Sequence, residues 1–311
     1  MSLDLELDDA QQALAGAVEA FCREVGAEAL ARRSDAILPR EVWRGLGALG
    51  VLACATPEGD GGACELVAAL ESLGRACFPG PLAATFFATQ LLPAPERLRV
   101  ASGEALVAVG APPLVPWAAA ADVFVETDGM RAWLARPRGP VVPVATLGAE
   151  PWGRVDLERG PELVPCARAL ALSDLALGAY LAAAGQRLVD AASEHARARR
   201  QFGRPIGDFQ AVAHPLADCA MRLAAARDLA RWAACCFDTG DARGPELAAA
   251  ARLSARAASL EAASTSHQVF GALGVTVEGP AFFASRRIRQ LASLPPGSER
   301  AREAVLAPLG L

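Results

Sequence analysis

Apolar residues recur at helical spacing along most of the chain. The clearest stripe includes Leu177, Leu181, Ala184 and Leu188, and a second stripe begins at Phe209. This periodicity predicts two long helices joined by a short connection. Similar patterns and their Gly and Pro breaks predict a bundle of four or five helices after residue 165. We expect these helices at about 166–200, 208–238, 245–271, 279–292 and 298–307.

The first 95 residues also show helical patterns. Asp8 or Asp9 can cap the first helix, whose apolar positions form one stripe. Pro39 suits the first turn of a second helix over Glu41–Leu49. A third helix is expected at roughly Glu65–Cys77, followed by another that ends near Leu92. This part of the chain therefore reads as a helical domain.

Residues 96–165 have a different pattern. Leu106–Val109, Val123–Val125 and Val141–Val144 are short β-type runs separated by Pro and Gly. The expected fold is mainly α, with three domains. These are an N-terminal helical domain over 1–95, a small β-domain over 96–165 and a helical bundle over 166–311.

Composition excludes several classes of function. Hydrophobic residues make up 53% of the chain, the net charge is −5, and no lysine is present, so arginine supplies all the basic charge. No basic face is dense enough to indicate a nucleic-acid partner. The apolar stretch 169–185 is interrupted by Asp174, which favours a core helix over a membrane span. The acidic N-terminal residues do not have the layout of a signal peptide.

The cysteines and histidines do not indicate a metal site. The eight cysteines include no CxxC pair, and the three histidines are scattered along the chain. We expect reduced, mostly buried thiols in a cytoplasmic protein.

A short run from Arg199 to Gln210 interrupts the two longest helical patterns. Gly203 can adopt backbone angles that other residues resist, and Pro205 cannot continue a helix. Asp208 is well placed to cap the second helix. The run therefore predicts a helix–turn–helix corner that carries Arg, Gln and Phe at its apex.

Two blocks of sequence together resemble the acyl-CoA dehydrogenase family. From Arg199 the chain reads Arg-x-Gln-Phe-Gly-x-Pro-Ile-x-x-Phe-Gln, followed by His214. The block Gln268–Thr276 is similar to the family's Gln-x-x-Gly-Gly-x-Gly segment. The resemblance implies the acyl-CoA dehydrogenase fold, with an N-terminal helical domain, a reduced central β-domain and a C-terminal bundle. It also implies an oligomer, an acyl-CoA substrate and FAD as the cofactor.

The resemblance assigns flavin contacts to two groups of residues. Arg199, Gln201 and Phe202 match positions that contact the flavin diphosphate, where a guanidinium fork suits the charge. The alternative for Arg199 is a cation that caps the end of the preceding helix. Gln268, Gly271, Ala272 and Gly274 resemble residues that meet the adenine side of a flavin bound largely by a neighbouring subunit. The alternative there is a helix C-cap at Gly271, and Ala272 stands in place of the usual second glycine.

The family reaction needs a carboxylate base that removes the α-proton of the acyl-CoA. Alignment from the glycine block places Pro295 where many relatives have this base. The second known location falls on Ser173, beside Asp174. Asp174 is the candidate base, although one position along a helix turns a side chain by about 100°, which favours a solvent-facing or capping role. We expect structural or surface roles for Glu278 and Glu261.

Three hypotheses follow. The β-domain is short and lacks the family's Thr-Glu-x-x-x-Gly-Ser loop. The chain thus resembles the shortened subunit of the heterotetrameric acyl-CoA dehydrogenases of actinobacterial steroid degradation, in which a sister subunit supplies the base. The second hypothesis is a self-sufficient homo-oligomer with Asp174 as base. The third is a structural partner that binds no flavin.

Overall fold

The structure is a computed structural model that describes residues 5–33, 38–294 and 299–307. It is mainly helical, as the sequence predicts, with a small β region in the middle of the chain. The division into domains at residues 95 and 165 remains a prediction.

Among the described residues, six α-helices precede the β region, and the sequence pattern predicts four of them. Asp8 caps the first through a reciprocal capping box with Gln11, as its side chain accepts a hydrogen bond from the Gln11 backbone N–H at 2.8 Å. Pro39 precedes the third helix, and Gly50 follows it in a left-handed conformation. The six are α1 (Asp9–Glu24), α2 (Ala27–Arg32), α3 (Arg40–Ala48), α4 (Ala63–Arg75), α5 (Leu82–Ala88) and α6 (Ala94–Ala101).

The β region contains two small sheets. The strands are β1 (Val107–Gly110), β2 (Leu114–Val115), β3 (Val123–Thr127), β4 (Ala132–Pro137), β5 (Val142–Val144), β6 (Trp152–Arg154) and β7 (Leu157–Leu163). One sheet has the order β1-β3-β4-β7 and the other the order β2-β6-β5. The three predicted runs lie within or overlap β1, β3 and β5. The other four strands are short or rich in polar and small residues, so their apolar pattern is weak.

The C-terminal bundle matches the expected helices to within a few residues. Its helices are α7 (Ala167–Ala198), α8 (Gln210–Thr239), α9 (Gly244–Phe270), α10 (Phe282–Ala292) and α11 (Glu299–Leu306). Two further strands, β8 (Arg200–Gln201) and β9 (Arg204–Pro205), form a hairpin between α7 and α8. The predicted cap at Asp208 is wrong. Asp208 ends a 3-10 turn, and the residue before α8 is Phe209, which has no side-chain cap.

Helix α7 lies at the centre of the molecule and packs against α4, α5, α8 and α9. Close approach depends on small residues. A Cβ on Gly74 of α4 would lie 2.4 Å from the Tyr180 carbonyl oxygen, so only glycine fits this crossing. By length and composition alone α7 could cross a membrane, but 83% of its most apolar window is buried inside the protein. This burial agrees with the prediction of a core helix.

Candidate functional site

The corner after α7 presents its motif residues to solvent. The hairpin pairs Gln201 with Arg204, and the two residues between them, Phe202 and Gly203, both have positive φ angles of 52° and 80°. Two such residues define a type I′ turn, which matches the twist of a two-stranded hairpin. A left-handed Phe is strained by about 1 kcal/mol or more, and such strain is concentrated at functional sites. The turn leaves the Phe202 side chain 92% exposed.

The Arg199 guanidinium has no hydrogen bond or ion pair with any residue that the structure describes. Its backbone N–H donates to the His195 carbonyl at 2.8 Å and so ends α7, but its exposed side chain makes no such capping bond. The side-chain amide of Gln201 donates only to the neighbouring Arg200 carbonyl, at 2.7 Å. The alternative that the Arg199 side chain caps its own helix is therefore not what the geometry shows. Both side chains are available to a ligand that approaches from outside the chain.

The glycine block lies directly after α9. Gly271 has a φ of 61° and its N–H closes the last helical turn, so the C-cap interpretation is correct for its backbone. A Cβ on Gly274 would lie 2.8 Å from the His267 carbonyl oxygen, which explains glycine at that position. Gln268 and Ala272 are exposed. Ala272 does not have a positive φ, so alanine is accommodated where the family has glycine.

The two motif segments meet at one end of the bundle. The His195 ring, in the last turn of α7, lies 5.0 Å from the Phe270 ring, in the last turn of α9. Arg199 follows His195 by one helical turn, and Gly271 follows Phe270 directly. Beside the glycine block is a shallow hollow in the surface. It is lined by Ser264, His267, Gln268, Gly271, Val275 and Arg289. Both segments therefore lie at this end of the bundle, and we call their exposed residues the corner surface: Arg199, Gln201, Phe202, Gln268, Gly271, Ala272 and Leu273.

A separate cavity lies inside the chain, between α5, the β region and α7. About 60 Å³ of it can hold the centres of water-sized molecules. Much of its lining is apolar, from Leu82, Phe87, Leu170, Leu177, Leu291 and Leu294. Ser173, Asp174, Arg252, Arg287 and Arg300 supply charged and polar groups to its wall. Its position places the two residues of the second candidate base location, Ser173 and Asp174, on the same cavity.

Asp174 is buried, with 1% of its side chain exposed, so the expectation that it faces solvent is wrong. Its Oδ1 accepts a hydrogen bond from Nη1 of Arg252 at 2.6 Å, and its Oδ2 accepts one from Nη2 of Arg300. Helix α7 has neighbours on several sides, and a turn of 100° therefore keeps the side chain inside the protein. Two guanidinium groups occupy both carboxylate oxygens. This arrangement favours a structural anion over a base, and the role of base remains a prediction.

A second buried ion pair fixes the opposite wall of the cavity. Arg287 pairs with Glu150 and also donates to the Tyr180 hydroxyl at 3.2 Å and the Gly80 carbonyl at 3.2 Å. Burial lowers the pKa of Arg287 to about 10, so the guanidinium still carries its charge at neutral pH. Gln290 donates to the other oxygen of Glu150 at 2.5 Å. These bonds hold α10 against the β region, α7 and the loop between α4 and α5.

Sequence reasoning missed Arg252, Arg287 and Arg300 as members of this cavity. The local signal is that Arg252 and Arg287 stand among apolar residues on the buried faces of α9 and α10. Glu278 is exposed, and Glu261 forms an ion pair with Arg222 at the surface, as expected for structural or surface residues. Pro295 lies outside the described residues. Within the described ranges, no group of three or more His, Cys, Asp and Glu residues could hold a metal ion.

Comparison with known proteins finds similar sequences over most of the chain. Residues 166–299 match the family model of the acyl-CoA dehydrogenase C-terminal domain, and residues 8–97 match that of the N-terminal domain. The chain is 34% identical over 265 residues to acyl-CoA dehydrogenase IpdE2 of Mycobacterium tuberculosis, and the alignment covers 80% of each protein.

Solved structures share the fold. The ChsE4–ChsE5 complex from Mycobacterium tuberculosis superposes with a TM-score of 0.82 at 25% identity, over 99% of each chain. The steroid acyl-CoA dehydrogenase Tcur3481–Tcur3483 superposes with a TM-score of 0.83 at 22% identity, over 97% of this chain and 98% of that chain.

Proposed function

The chain belongs to the acyl-CoA dehydrogenase family, and on this premise we propose that it is one subunit of an FAD-dependent acyl-CoA dehydrogenase. In this proposal its corner surface completes a flavin site that a sister subunit holds for the most part. The sister subunit also supplies the catalytic base. The assembly is an oxidoreductase that acts on the CH–CH bond next to a thioester, and we place it in lipid metabolism in the cytoplasm.

One observation carries the proposal. Arg199, Gln201 and Gln268 are exposed, and within the described ranges Arg199 and Gln268 have no side-chain partner, so their donors face away from their own chain. A free guanidinium can make two charge-assisted bonds to a diphosphate, and a free amide can bond to an adenine. Phe202 adds an exposed aromatic face at the same corner. The residues present therefore fit the nucleotide part of FAD presented by another subunit.

Bound at this surface, FAD would supply the hydride acceptor for the β-hydrogen of the acyl group. The part of this chain in that reaction is to bind and orient. Arg199 neutralises charge on the diphosphate, the Gln201 and Gln268 amides fix the position of the nucleotide, and Phe202 shields it from water. None of these groups moves a proton, which leaves the removal of the α-proton to a carboxylate of the sister subunit.

The internal cavity also supports the proposal that the sister subunit supplies the base. The carboxylate nearest to the second family position for a base, Asp174, is bound by two arginines. Arg252, Arg287 and Arg300 narrow the cavity with fixed charges and their hydrogen-bond partners. The similar ChsE4–ChsE5 structure is a complex of two proteins, which is further support for a heteromeric assembly. We propose a heterotetramer with a ring-bearing, steroid-derived acyl group, supported by the similarity to the Tcur3481–Tcur3483 steroid ACAD and by the short β region.

The second candidate function is a homo-oligomeric dehydrogenase that uses Asp174 as its base. The observation in its favour is that Asp174 does line the internal cavity. A third candidate is a structural partner that binds no flavin, for which the helical bundle alone would suffice.

The flavin absorbance spectrum separates the three candidates. The chain is purified alone and again after co-expression with an acyl-CoA dehydrogenase subunit encoded next to it. Flavin and turnover only in the co-purified complex, with flavin lost from an Arg199→Ala complex, would support the proposal. Flavin and turnover in the chain alone would favour the homo-oligomer. The third outcome is a complex whose flavin content does not change when Arg199→Ala, Gln201→Ala and Gln268→Ala are combined. This outcome would favour the structural partner that binds no flavin.

A further inference from the structure

Two of the eight cysteines differ from the rest. Six cysteines are buried, and the two that are partly exposed, Cys64 and Cys235, are in contact with each other. Their sulfur atoms lie 3.8 Å apart, which is van der Waals contact between thiols. They come from distant parts of the sequence, Cys64 from the first turn of α4 and Cys235 from the last part of α8. The contact therefore joins the N-terminal helices to the C-terminal bundle.

Asp238 holds the two helix ends in this position. Its carboxylate accepts hydrogen bonds from the backbone N–H groups of Ala63 at 2.7 Å and Cys64 at 2.9 Å. It therefore caps α4 from one turn beyond Cys235 on α8. A Cβ on Gly62 would lie 2.5 Å from the Asp238 carboxylate, so the approach is close enough to require glycine. The two thiols face each other because this cap fixes α4 on α8.

The surroundings give the two thiols different roles. Burial raises the pKa of the Cys64 thiol, and the adjacent Asp238 carboxylate raises it further. Cys64 therefore stays protonated at neutral pH and is a poor nucleophile, since the thiolate is the reactive form. We therefore assign Cys64 the second step, in which it reacts with an already oxidised Cys235 at contact distance.

We propose that Cys64 and Cys235 form a redox modification site that a hydroperoxide converts into a disulfide. The Cys235 thiolate attacks the peroxide oxygen, the O–O bond breaks, and the products are a sulfenic acid and an alcohol, or water in the case of hydrogen peroxide. Cys64 then attacks the sulfenic sulfur as its thiol proton leaves with the hydroxyl group as water. Two thiols are oxidised by two electrons, and one peroxide is reduced.

Cys236 provides a matched control within the same helix. It follows Cys235 directly, so its side chain points about 100° away around α8. It is buried, and no cysteine partner lies in hydrogen-bond contact with it among the described residues. A reaction driven by general thiol reactivity would involve Cys236, whereas one driven by the contact would not.

The test is oxidation of the purified full-length chain with hydrogen peroxide near neutral pH. The expected product has lost two of its eight thiols, counted after denaturation, and recovers both with dithiothreitol. Peptide mapping is expected to show Cys64 joined to Cys235. Because the link closes a long loop, the oxidised chain is expected to migrate faster on a non-reducing gel and to melt at a higher temperature.

Substitutions complete the test. Cys64→Ser and Cys235→Ser are each expected to abolish the fast-migrating form, whereas Cys236→Ser is expected to keep it. Asp238→Asn keeps one of the two acceptors of the α4 cap and removes the charge beside Cys64, and we expect it to accelerate disulfide formation severalfold. Thiol loss that dithiothreitol does not reverse, or a wild-type link between other cysteines, would overturn the proposal. Because mapping is done on the wild-type chain, the result does not depend on the folding of any variant.

Discussion

The Asp174 carboxylate lies 2.6 Å from Nη1 of Arg252, and the two side chains are only 1% and 4% exposed. A second arginine, Arg300, binds the other carboxylate oxygen. A buried charge is stable only when it is paired and hydrogen-bonded, so each member of this triad depends on the others. The triad lies where a self-sufficient dehydrogenase of this family would have one of its possible bases. Stability and catalysis can therefore be separated by one substitution.

Asp174→Asn is expected to destabilise the chain by about 3–5 kcal/mol, because it leaves the buried Arg252 and the partly buried Arg300 without their counter-ion. Urea unfolding measures this loss. In the assembled enzyme, the turnover of the folded variant at low temperature is expected to stay close to that of the wild type. Asp190→Asn, at a half-exposed ion pair with Arg75, is the control and should cost less than about 1 kcal/mol. Abolished turnover with unchanged unfolding would instead identify Asp174 as the base.

Arg199→Ala is expected to weaken FAD binding by the assembled enzyme about 10- to 100-fold. A charge-assisted hydrogen bond contributes about 1.5–3 kcal/mol, and each 1.4 kcal/mol changes the affinity tenfold. The unfolding free energy of the chain should not change, since the guanidinium has no partner within the described ranges. FAD titration by fluorescence measures the affinity, and exposed Arg197→Ala is the control on the preceding helical turn. Equal loss in both variants would point to general surface charge rather than to a specific contact.

Sequence patterns predicted the helices well because long apolar stripes are local. The ends of α7, α8 and α9 fall within two residues of their expected positions. Spacing did not reveal the Asp174–Arg252 pair, because its members are 78 residues apart and come together only when α7 packs on α9. Several strands were missed because their residues show little apolar pattern. A seven-residue strand such as β7, with five exposed positions in its middle, has almost no apolar pattern to detect.

The motif positions were predictable, but their surroundings were not. The sequence placed Arg199 at a corner, and the structure adds that its side chain is unpaired among the described residues and exposed. The expected cap at Asp208 is wrong because Asp208 lies in the 3-10 turn Ile206–Asp208, so Phe209 is the residue before α8. Tertiary packing decides the backbone geometry of single residues, and the spacing of apolar residues along the chain carries no information about that packing.

The chain is expected to lose stability steeply above pH 9. Burial raises the pKa of Cys54 to about 12 and that of Cys77 to about 11, from an ordinary value of 9.0. Because the folded pKa values are raised, their contribution is fully present below pH 9 and is lost as the pH rises toward 11 to 12. Each thiol then favours unfolding by about 1.4 kcal/mol per pH unit. Melting temperatures between pH 8 and 10.5 measure the slope.

Cys54→Ala and Cys77→Ala test the origin of this alkaline slope. Each substitution is expected to lower stability at pH 7, because it leaves a small cavity, but to flatten the decline between pH 9 and 10.5. A slope that is the same in the double variant as in the wild type would exclude these thiols as its cause.

Val275→Glu is expected to dissociate the proposed assembly. Val275 and Val277 are 71% and 60% exposed beside the glycine block, and Phe202 is 92% exposed. Exposed apolar side chains next to binding residues indicate a protein interface. A buried carboxylate without a partner would be costly in that interface, whereas in the free chain it would remain in water. Size-exclusion chromatography measures the assembly, and Leu147→Glu, at a residue 73% exposed in the β region, is the control. An intact complex with Val275→Glu would place the interface elsewhere.

Gly74→Ala and Gly16→Ala are expected to change stability in opposite directions. Both glycines lie in helices, where alanine is intrinsically favoured by about 0.5–1 kcal/mol. Gly16 is exposed on α1 with open space around it, so Gly16→Ala should stabilise the chain by about that amount. At Gly74 the added methyl group would lie 2.4 Å from the Tyr180 carbonyl oxygen and 3.0 Å from the Ala183 Cβ. The α7 backbone cannot shift away from the added methyl group without disturbing the other helices packed on α7. The overpacking should therefore lower the free energy of unfolding by about 1–3 kcal/mol. Urea unfolding of the two variants measures the difference, and equal stabilisation by both would mean that α4 and α7 do not cross this closely.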